Sequence, residues 1–235
     1  MHHFSCVTRS LYDIFIRVFL DMGNLERANQ LFQELKLSGD MDAVVKVNAT
    51  FMEHWFKQRM DEKVMECYMS SKEEFSKIHV AAGNSLLKVL LRYGKKTEAW
   101  SLFSQMLEQS WYPGLEEEYR NTGKFDSESY NIMVNECFNL GQINEAMQIF
   151  CNVVGTISDP ELCYRNVITK FCEQGMLSEA ERCFAEMCSK KYLVPDVPTY
   201  RTMMDAYVKK VRINNARKTL NQTLDVCLTY IAKHV

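Results

Sequence analysis

The fold is decided by a stretch near the middle of the chain, Leu140-Gly141-Gln142-Ile143-Asn144-Glu145-Ala146, because related copies of it recur. Most copies place a glycine ahead of polar residues and end on a small residue; two are degenerate and lack the glycine. The other copies lie at 22–28, 58–63, 93–99, 174–180 and 211–216. Their final residues, 28, 63, 99, 146, 180 and 216, are 35, 36, 47, 34 and 36 residues apart. A period of this length predicts a structural repeat.

Each repeat is expected to form two helices joined by a tight turn. Glycine tolerates the left-handed conformation that ends many helices, and polar residues shortly after it can cap the next helix. These candidate caps are Asn24, Thr97, Asn144 and Ser178. An apolar pair then follows the small residue by three and four positions, on one helical face. Neither helix can bury its apolar stripe alone, so the sequence predicts an all-α solenoid of stacked helix pairs.

The repeats run at about 9–43, 44–79, 80–126, 127–160, 161–196 and 197–231. They are expected to form a single α-solenoid over 1–235. The third repeat is long because it includes an insertion, 114–125, which is acidic and has glycines near its ends. We interpret this insertion as an exposed loop. No other linker or low-complexity stretch is present, so a second domain is not expected.

Composition restricts the classes of function. The chain has 28 basic and 30 acidic residues and a formal net charge of −2, so any nucleic-acid binding must be local. Nine cysteines form no CxxC pair, which favours free thiols packed as small hydrophobic groups in a reducing compartment. The apolar stretch 11–20 is too short and too charged to span a membrane. No targeting presequence is visible at the start of this chain.

Three stretches resemble the signature of the pentatricopeptide repeat family: 129–135, 163–168 and, most fully, 194–207. In the last of these, Pro195-Asp196 closes one repeat and Thr199-Tyr200 opens the next. The resemblance implies a right-handed superhelix of about six plain repeats. It also implies a protein of mitochondria or plastids that handles single-stranded RNA alongside other RNA-processing or RNA-editing proteins. No cofactor, membrane or small-molecule substrate is implied.

The resemblance further implies that each repeat can read one base through two side chains: the fifth residue of its first helix and the last residue of the repeat. The resulting pairs are Asp13 with Ala43, Asn48 with His79, Asn84 with Asp126, Asn131 with Pro160 and Arg165 with Asp196, while Arg201 opens the last repeat. Only Asn84 with Asp126 matches a familiar combination, of the type associated with uracil. For the three asparagines the alternative is a polar side chain on a solvated groove.

Two arginines depart from the small polar residue expected at the base-reading position. Arg165 and Arg201 can still stack on a base or contact a phosphate, or they can contact a protein partner or solvent. The residue eight positions further along often contacts phosphate in RNA-binding members of the family. That position holds Asp21, Phe56, Arg92, Asn139, Glu173 and Lys209. With only Arg92 and Lys209 basic, the sequence predicts no continuous basic track.

Aromatic residues offer a second kind of contact. Trp55 and Trp100 lie on apolar helical faces, which favours core packing over base stacking. Trp111 and Tyr112 sit beside the insertion and are candidates for contact with a partner protein.

Catalysis finds little support in the sequence. The five histidines show no ligand spacing such as HExxH, and neither a phosphate-cradling glycine loop nor a nucleophile elbow is present. We therefore expect a non-enzyme without a metal site. The leading interpretation is a non-catalytic factor in organellar RNA metabolism that recognises single-stranded RNA or supports its processing or editing. The alternative is a protein-interaction scaffold in an organellar RNA-editing or expression complex, with little direct RNA binding; the incomplete base-reading set favours it.

Overall fold

The computed structural model describes residues 2–72, 78–110, 126–155, 157, 160–190 and 192–234. Within these ranges the chain forms twelve α-helices and no strand, which confirms the predicted all-α repeat fold. The helices are α1 His2–Asp21, α2 Leu25–Leu37, α3 Met41–Lys57, α4 Asp61–Lys72, α5 Val80–Arg92, α6 Lys96–Ser110, α7 Ser127–Asn139, α8 Ile143–Val154, α9 Glu161–Glu173, α10 Leu177–Ser189, α11 Val197–Lys209 and α12 Ile213–His234. The insertion at 114–125 lies outside the described residues.

The helices fall into two compact units, residues 1–125 and 126–235. In each unit the helices pair in chain order, and the first helix of one pair packs on the first helix of the next. In the first unit α1 packs against α3 and α3 against α5; in the second, α7 packs against α9 and α9 against α11. The odd-numbered helices therefore form a continuous layer within each unit, and that layer carries the positions with predicted functional roles.

The turn between paired helices has the same backbone in all six pairs. Gly23, Gly94, Gly141 and Gly175 have φ between +72° and +76°. After Gly141, the Gln142 N–H donates to the carbonyl of Cys137 at 2.8 Å, which satisfies a carbonyl left unpaired at the helix end. Arg59 and Val211 occupy the same place in the two copies that lack glycine, and both have φ of 58°. The repeat therefore imposes the turn even where the sequence does not favour it.

Packing between repeats uses the small residue and the apolar pair of each second helix. Ala146 and Ala180 are fully buried, as are Ala28 and Ala99. The phenylalanine four residues later reaches the next repeat: the rings of Phe150 and Tyr164 meet edge to face at 4.9 Å, and those of Phe184 and Tyr200 at 5.5 Å. Edge-to-face pairs of this kind are favourable beyond their buried area. The second helices α2, α8 and α10 thus pack on their own partners and on the first helix that follows each of them.

The predicted caps are correct in one case out of four. Asn24 accepts a hydrogen bond from the Arg27 N–H at 3.1 Å and caps α2. Thr97, Asn144 and Ser178 are each the second residue of their helix rather than its cap, so those three predictions are wrong. The physical reason is the turn, which places the residue directly after the left-handed position at the cap; for α10 that residue is Met176, which has no side-chain cap bond.

Candidate nucleic-acid interface

A shallow, open pocket of about 230 Å³ lies in the first unit between α1, α3 and α5. It is lined by Asp13, Arg17, Lys46, Ala49, Thr50, Glu53, Ser85, Lys88, Val89 and Arg92. Four of these side chains are basic and two are acidic, so the local formal charge is +2 on a chain whose total is −2. We call this feature the basic pocket. It gathers cations from three consecutive repeats.

Glu53 connects two of the cations in the basic pocket. Its Oε2 accepts a hydrogen bond from Arg17 Nη1 at 2.9 Å, and its Oε1 pairs with Arg92. The Glu53 side chain is 13% exposed, whereas Arg17 and Arg92 are 47% and 62% exposed. A single shielded carboxylate thus holds two guanidinium groups that both remain partly exposed to solvent.

Arg17 makes further contacts within the pocket. Its Nη2 donates to Thr50 Oγ1 at 3.1 Å and lies 3.8 Å from Asp13 Oδ2. Partial burial tends to lower the pKa of Arg17, but the hydrogen bond to Glu53 and the charge of Asp13 outweigh it and raise that pKa above its ordinary value. Arg17 therefore remains a cation at every relevant pH.

The fifth residues of the first three repeats are either hydrogen-bonded to another side chain or buried. Asp13 accepts a hydrogen bond from Thr50 Oγ1 at 2.5 Å. Asn48 is 2% exposed, and its Nδ2 donates to Ser71 Oγ of α4 at 2.9 Å. Asn84 is 1% exposed. In this arrangement the amides of Asn48 and Asn84 are not presented to a base, which argues against the reading role assigned to them.

The second unit presents its fifth residues differently. Asn131 is half-buried, and its Nδ2 donates to the Leu162 carbonyl at 3.5 Å. Arg165 Nη1 pairs with Asp196 Oδ2 at 2.7 Å, with both side chains 39% exposed, so the two positions that the resemblance assigns to one base lie in contact. Arg201 and Lys209 are exposed on α11, and neither forms an ion pair with any described residue.

Two aspartates at the last position of a repeat act as helix caps. Asp196 Oδ1 accepts from the Thr199 N–H at 2.9 Å and from its hydroxyl at 2.5 Å. Burial raises the pKa of Asp196, but the bonds from Thr199 and Arg165 outweigh this and hold the pKa below its ordinary value. Asp126 caps α7 in the same way, through Ser129. Of the predicted base-reading pair, Asn84 is therefore a buried amide and Asp126 is a helix-capping carboxylate.

Some residues of the basic pocket were not predicted from the sequence, and two predicted site residues lie outside the described part of the chain. Arg17, Lys46 and Lys88 line the basic pocket, yet none of them occupies the fifth or thirteenth position of a first helix, where RNA contacts were expected. The spacing of Lys88 and Arg92, four residues apart on one helical face, was the available signal. Trp111 and Tyr112 lie outside the described residues, and their protein-contact role stays a prediction.

The described residues offer little for catalysis. No group of three or more His, Cys, Asp or Glu side chains in the described part of the chain is placed to hold a metal ion. Burial raises the pKa of the Cys137, Cys172 and Cys183 thiols to about 11, so these thiols are not activated as nucleophiles. Across the same residues, no helix is both long and apolar enough to cross a membrane.

Family models agree with the repeats seen in the structure. The model described as a PPR repeat matches residues 10–40, 84–110 and 128–154, and the model described as a PPR repeat family matches 161–209. Together these matches cover more than half of the chain. The chain belongs to the pentatricopeptide repeat family.

Curated proteins and solved structures support the same assignment. A mitochondrial pentatricopeptide repeat-containing protein of Arabidopsis thaliana is 39% identical over 94% of this chain and 55% of its own length. A second Arabidopsis member is 42% identical over 57% of this chain and 14% of its own length. The chain thus spans about half, or less, of the curated relatives it matches.

Two structures of the maize protein PPR10 share the fold. The crystal structure of PPR10 aligns with a TM-score of 0.59 and 20% identity, over 92% of this chain and 29% of PPR10. PPR10 in complex with an 18-nt psaJ RNA element aligns with a TM-score of 0.55 and 21% identity, over 92% of this chain and 30% of PPR10. At this level of identity the likeness establishes the fold.

Proposed function

We propose that this pentatricopeptide repeat chain is a non-catalytic, single-stranded-RNA-binding factor of organellar RNA metabolism, acting in RNA processing or in support of RNA editing. The observation that carries the proposal is the basic pocket, where cations from three stacked first helices meet. Membership of the family, the RNA bound by the maize protein PPR10 and the mitochondrial name of the Arabidopsis relative support it. Location in a mitochondrion, or in a plastid as the alternative, is part of the proposal.

Local charge makes binding possible on a chain that is acidic overall. Much of the affinity between proteins and nucleic acids comes from cations that neutralise phosphates and release counterions. The basic pocket supplies such cations in the first unit. Arg201 and Lys209 supply them in the second, eight residues and about 12 Å apart along α11. The binding surface is therefore the layer of first helices within each unit.

The test is a titration of labelled oligo(U) of 18 nucleotides, the length held by PPR10, followed by fluorescence anisotropy. We expect saturable binding at low salt. Arg201→Glu with Lys209→Glu should weaken it by about tenfold or more. Arg217→Glu with Lys218→Glu is the matched control, because it makes the same change of charge in the same unit but on the second helix α12. Absence of saturable binding by the unaltered chain at low salt would overturn the proposal.

A protein scaffold in an organellar RNA-editing or expression complex is the second candidate function. It is favoured by one observation: Asn48 and Asn84 are buried and Arg165 is paired with Asp196, which leaves few side chains to read bases. Under this proposal Arg165→Ala with Arg201→Ala, or changes at Trp111 and Tyr112, should abolish binding to a defined RNA-editing partner protein. RNA affinity should then be weak and unchanged by the same substitutions.

A further inference from the structure

We propose that the first unit holds the sugar-phosphate backbone of RNA in the basic pocket without reading its bases. This inference rests on the proposed RNA-binding function and adds to it a chemical class and a location. The ligand class is a phosphodiester chain. The residues that hold it are Arg17, Lys46, Lys88 and Arg92.

Base reading in the first unit is opposed by the state of its fifth residues. Asp13 accepts a hydrogen bond from Thr50, Asn48 donates to Ser71 of its own repeat, and Asn84 is 1% exposed. A base that approached α3 or α5 would not meet the side-chain amides of Asn48 or Asn84. If the first unit binds RNA, the contacts must come from other side chains.

The cations of the basic pocket are suited to phosphate. Arg17 and Arg92 share Glu53, which fixes one side of each guanidinium group, while 47% of the Arg17 side chain and 62% of the Arg92 side chain stay exposed. A guanidinium fork matches the oxygens of a phosphate and can donate two parallel hydrogen bonds. Lys46 and Lys88 are both exposed on the same lining and add point charges that require no particular base.

The polar groups of the pocket that could recognise a base are already used. The Thr50 hydroxyl donates to Asp13, and the Ser85 hydroxyl donates to the Ala81 carbonyl at 3.2 Å. The carboxylates of Asp13 and Glu53 are engaged by Thr50 and by the two arginines, and the rest of the lining is apolar, Ala49 and Val89. The pocket can therefore attract a charged backbone but has little with which to discriminate one base from another.

The experiment compares four 18-nucleotide probes on the full chain: oligo(U), oligo(A), oligo(C) and an abasic ribose-phosphate chain. The pocket variant is Lys46→Glu with Lys88→Glu. The matched control is Lys57→Glu with Lys96→Glu, which makes the same change of charge in the same unit but lies outside the pocket lining. All four lysines are exposed in the native fold, and circular-dichroism melts will verify that each variant is folded.

We expect the pocket variant to weaken binding of all four probes, including the abasic chain, by the same factor of about tenfold or more. The slope of log affinity against log salt should become shallower by about 0.7 for each phosphate that the variant no longer neutralises. The control should change neither quantity appreciably.

Four results would overturn the inference. If the unaltered chain binds RNA and the pocket variant binds it equally well, the proposed function stands but the pocket is not the site. If the loss of affinity depends on the base, the pocket reads sequence. If polyglutamate competes as well as the abasic chain, the pocket recognises acidic polymers in general rather than phosphodiesters. If the unaltered chain binds none of the four probes, the proposed function fails as well.

Discussion

Val211 is the residue at which the repeat most clearly overrides local sequence preference. It occupies the left-handed position between α11 and α12 with φ of 58°, where four other repeats place glycine. A β-branched residue is a rare outlier in this region. We predict that Val211→Gly stabilises the protein.

The magnitude follows from the structure. An L-residue with a Cβ pays about 1–2 kcal/mol for the left-handed conformation, and glycine removes that cost. Glycine also raises the conformational entropy of the unfolded chain, which lowers the free energy of unfolding by roughly 0.5–1 kcal/mol and offsets part of that gain. Val211 is 79% exposed, so little apolar burial is lost. The net gain is about 0.5–1 kcal/mol, or a rise of about 1–4 °C in Tm for a chain of this size.

The assay is equilibrium unfolding in urea, supported by thermal melts. Val208→Gly is the matched control, because Val208 is also exposed but lies in the regular helix α11, where glycine should destabilise. Gly141→Val is the reverse change, at a turn with open space around the added Cβ, and should cost about what Val211→Gly gains. A neutral or destabilising Val211→Gly would refute the view that stacking imposes this turn against local preference.

The remaining predictions address packing, burial and charge. Ala146→Leu or Ala180→Leu should lower the free energy of unfolding by about 1–3 kcal/mol through overpacking, because both alanines are fully buried; thermal melts that show no loss of stability would contradict the packing. Asn48→Ala should destabilise by about 1–3 kcal/mol, because it removes a buried hydrogen bond to Ser71, but should leave RNA affinity unchanged in anisotropy titrations. Asp196→Ala should cost about 1 kcal/mol at neutral pH through loss of its cap. Since the folded pKa of Asp196 is depressed, the charge-dependent part of its contribution is present above its ordinary pKa and lost as the pH falls through the folded value. The difference from the unaltered chain in urea unfolding should therefore narrow below about pH 4, and a constant difference down to about pH 2 would contradict this assignment.

The fold was predictable because its deciding feature is local. In four of the six repeats a glycine at a fixed place shows where one helix ends and the next begins, and a buried alanine and phenylalanine follow it at the same spacing. Arg59 and Val211 take the same backbone conformation without that signal. In those two copies the neighbouring repeats, rather than the local sequence, determine the turn.

The position of each cap was less predictable, because the turn sets where the helix starts and a shift of one residue moves a side chain from the cap into the helix. Ser178 is a good capping residue in isolation, but the turn starts α10 at Leu177 and so places Ser178 inside the helix. The aspartates that do cap first helices, such as Asp196, were assigned a base-reading role from the resemblance. Their capping role follows from a hydrogen bond to a residue three positions further along the chain.

The site was the least predictable part, because it depends on contacts between distant residues. Asn48 is buried because Ser71, on the paired helix, offers it an oxygen. The basic pocket brings Arg17 together with Lys46 and Lys88 from two other repeats, and nothing in the local sequence around each of these residues indicates that they meet. Only the stacked first helices show that these scattered cations form one surface.

The central claim is that the layer of first helices binds single-stranded RNA through phosphates. The most direct test is the affinity of the intact chain for an 18-nucleotide oligo(U), measured by anisotropy over a series of salt concentrations. The cations of the basic pocket, together with Arg201 and Lys209, predict saturable binding with a slope of log affinity against log salt between about −2 and −4, corresponding to roughly three to six phosphates at about −0.7 each. A slope near zero, or no saturable binding at the lowest salt, would contradict the claim.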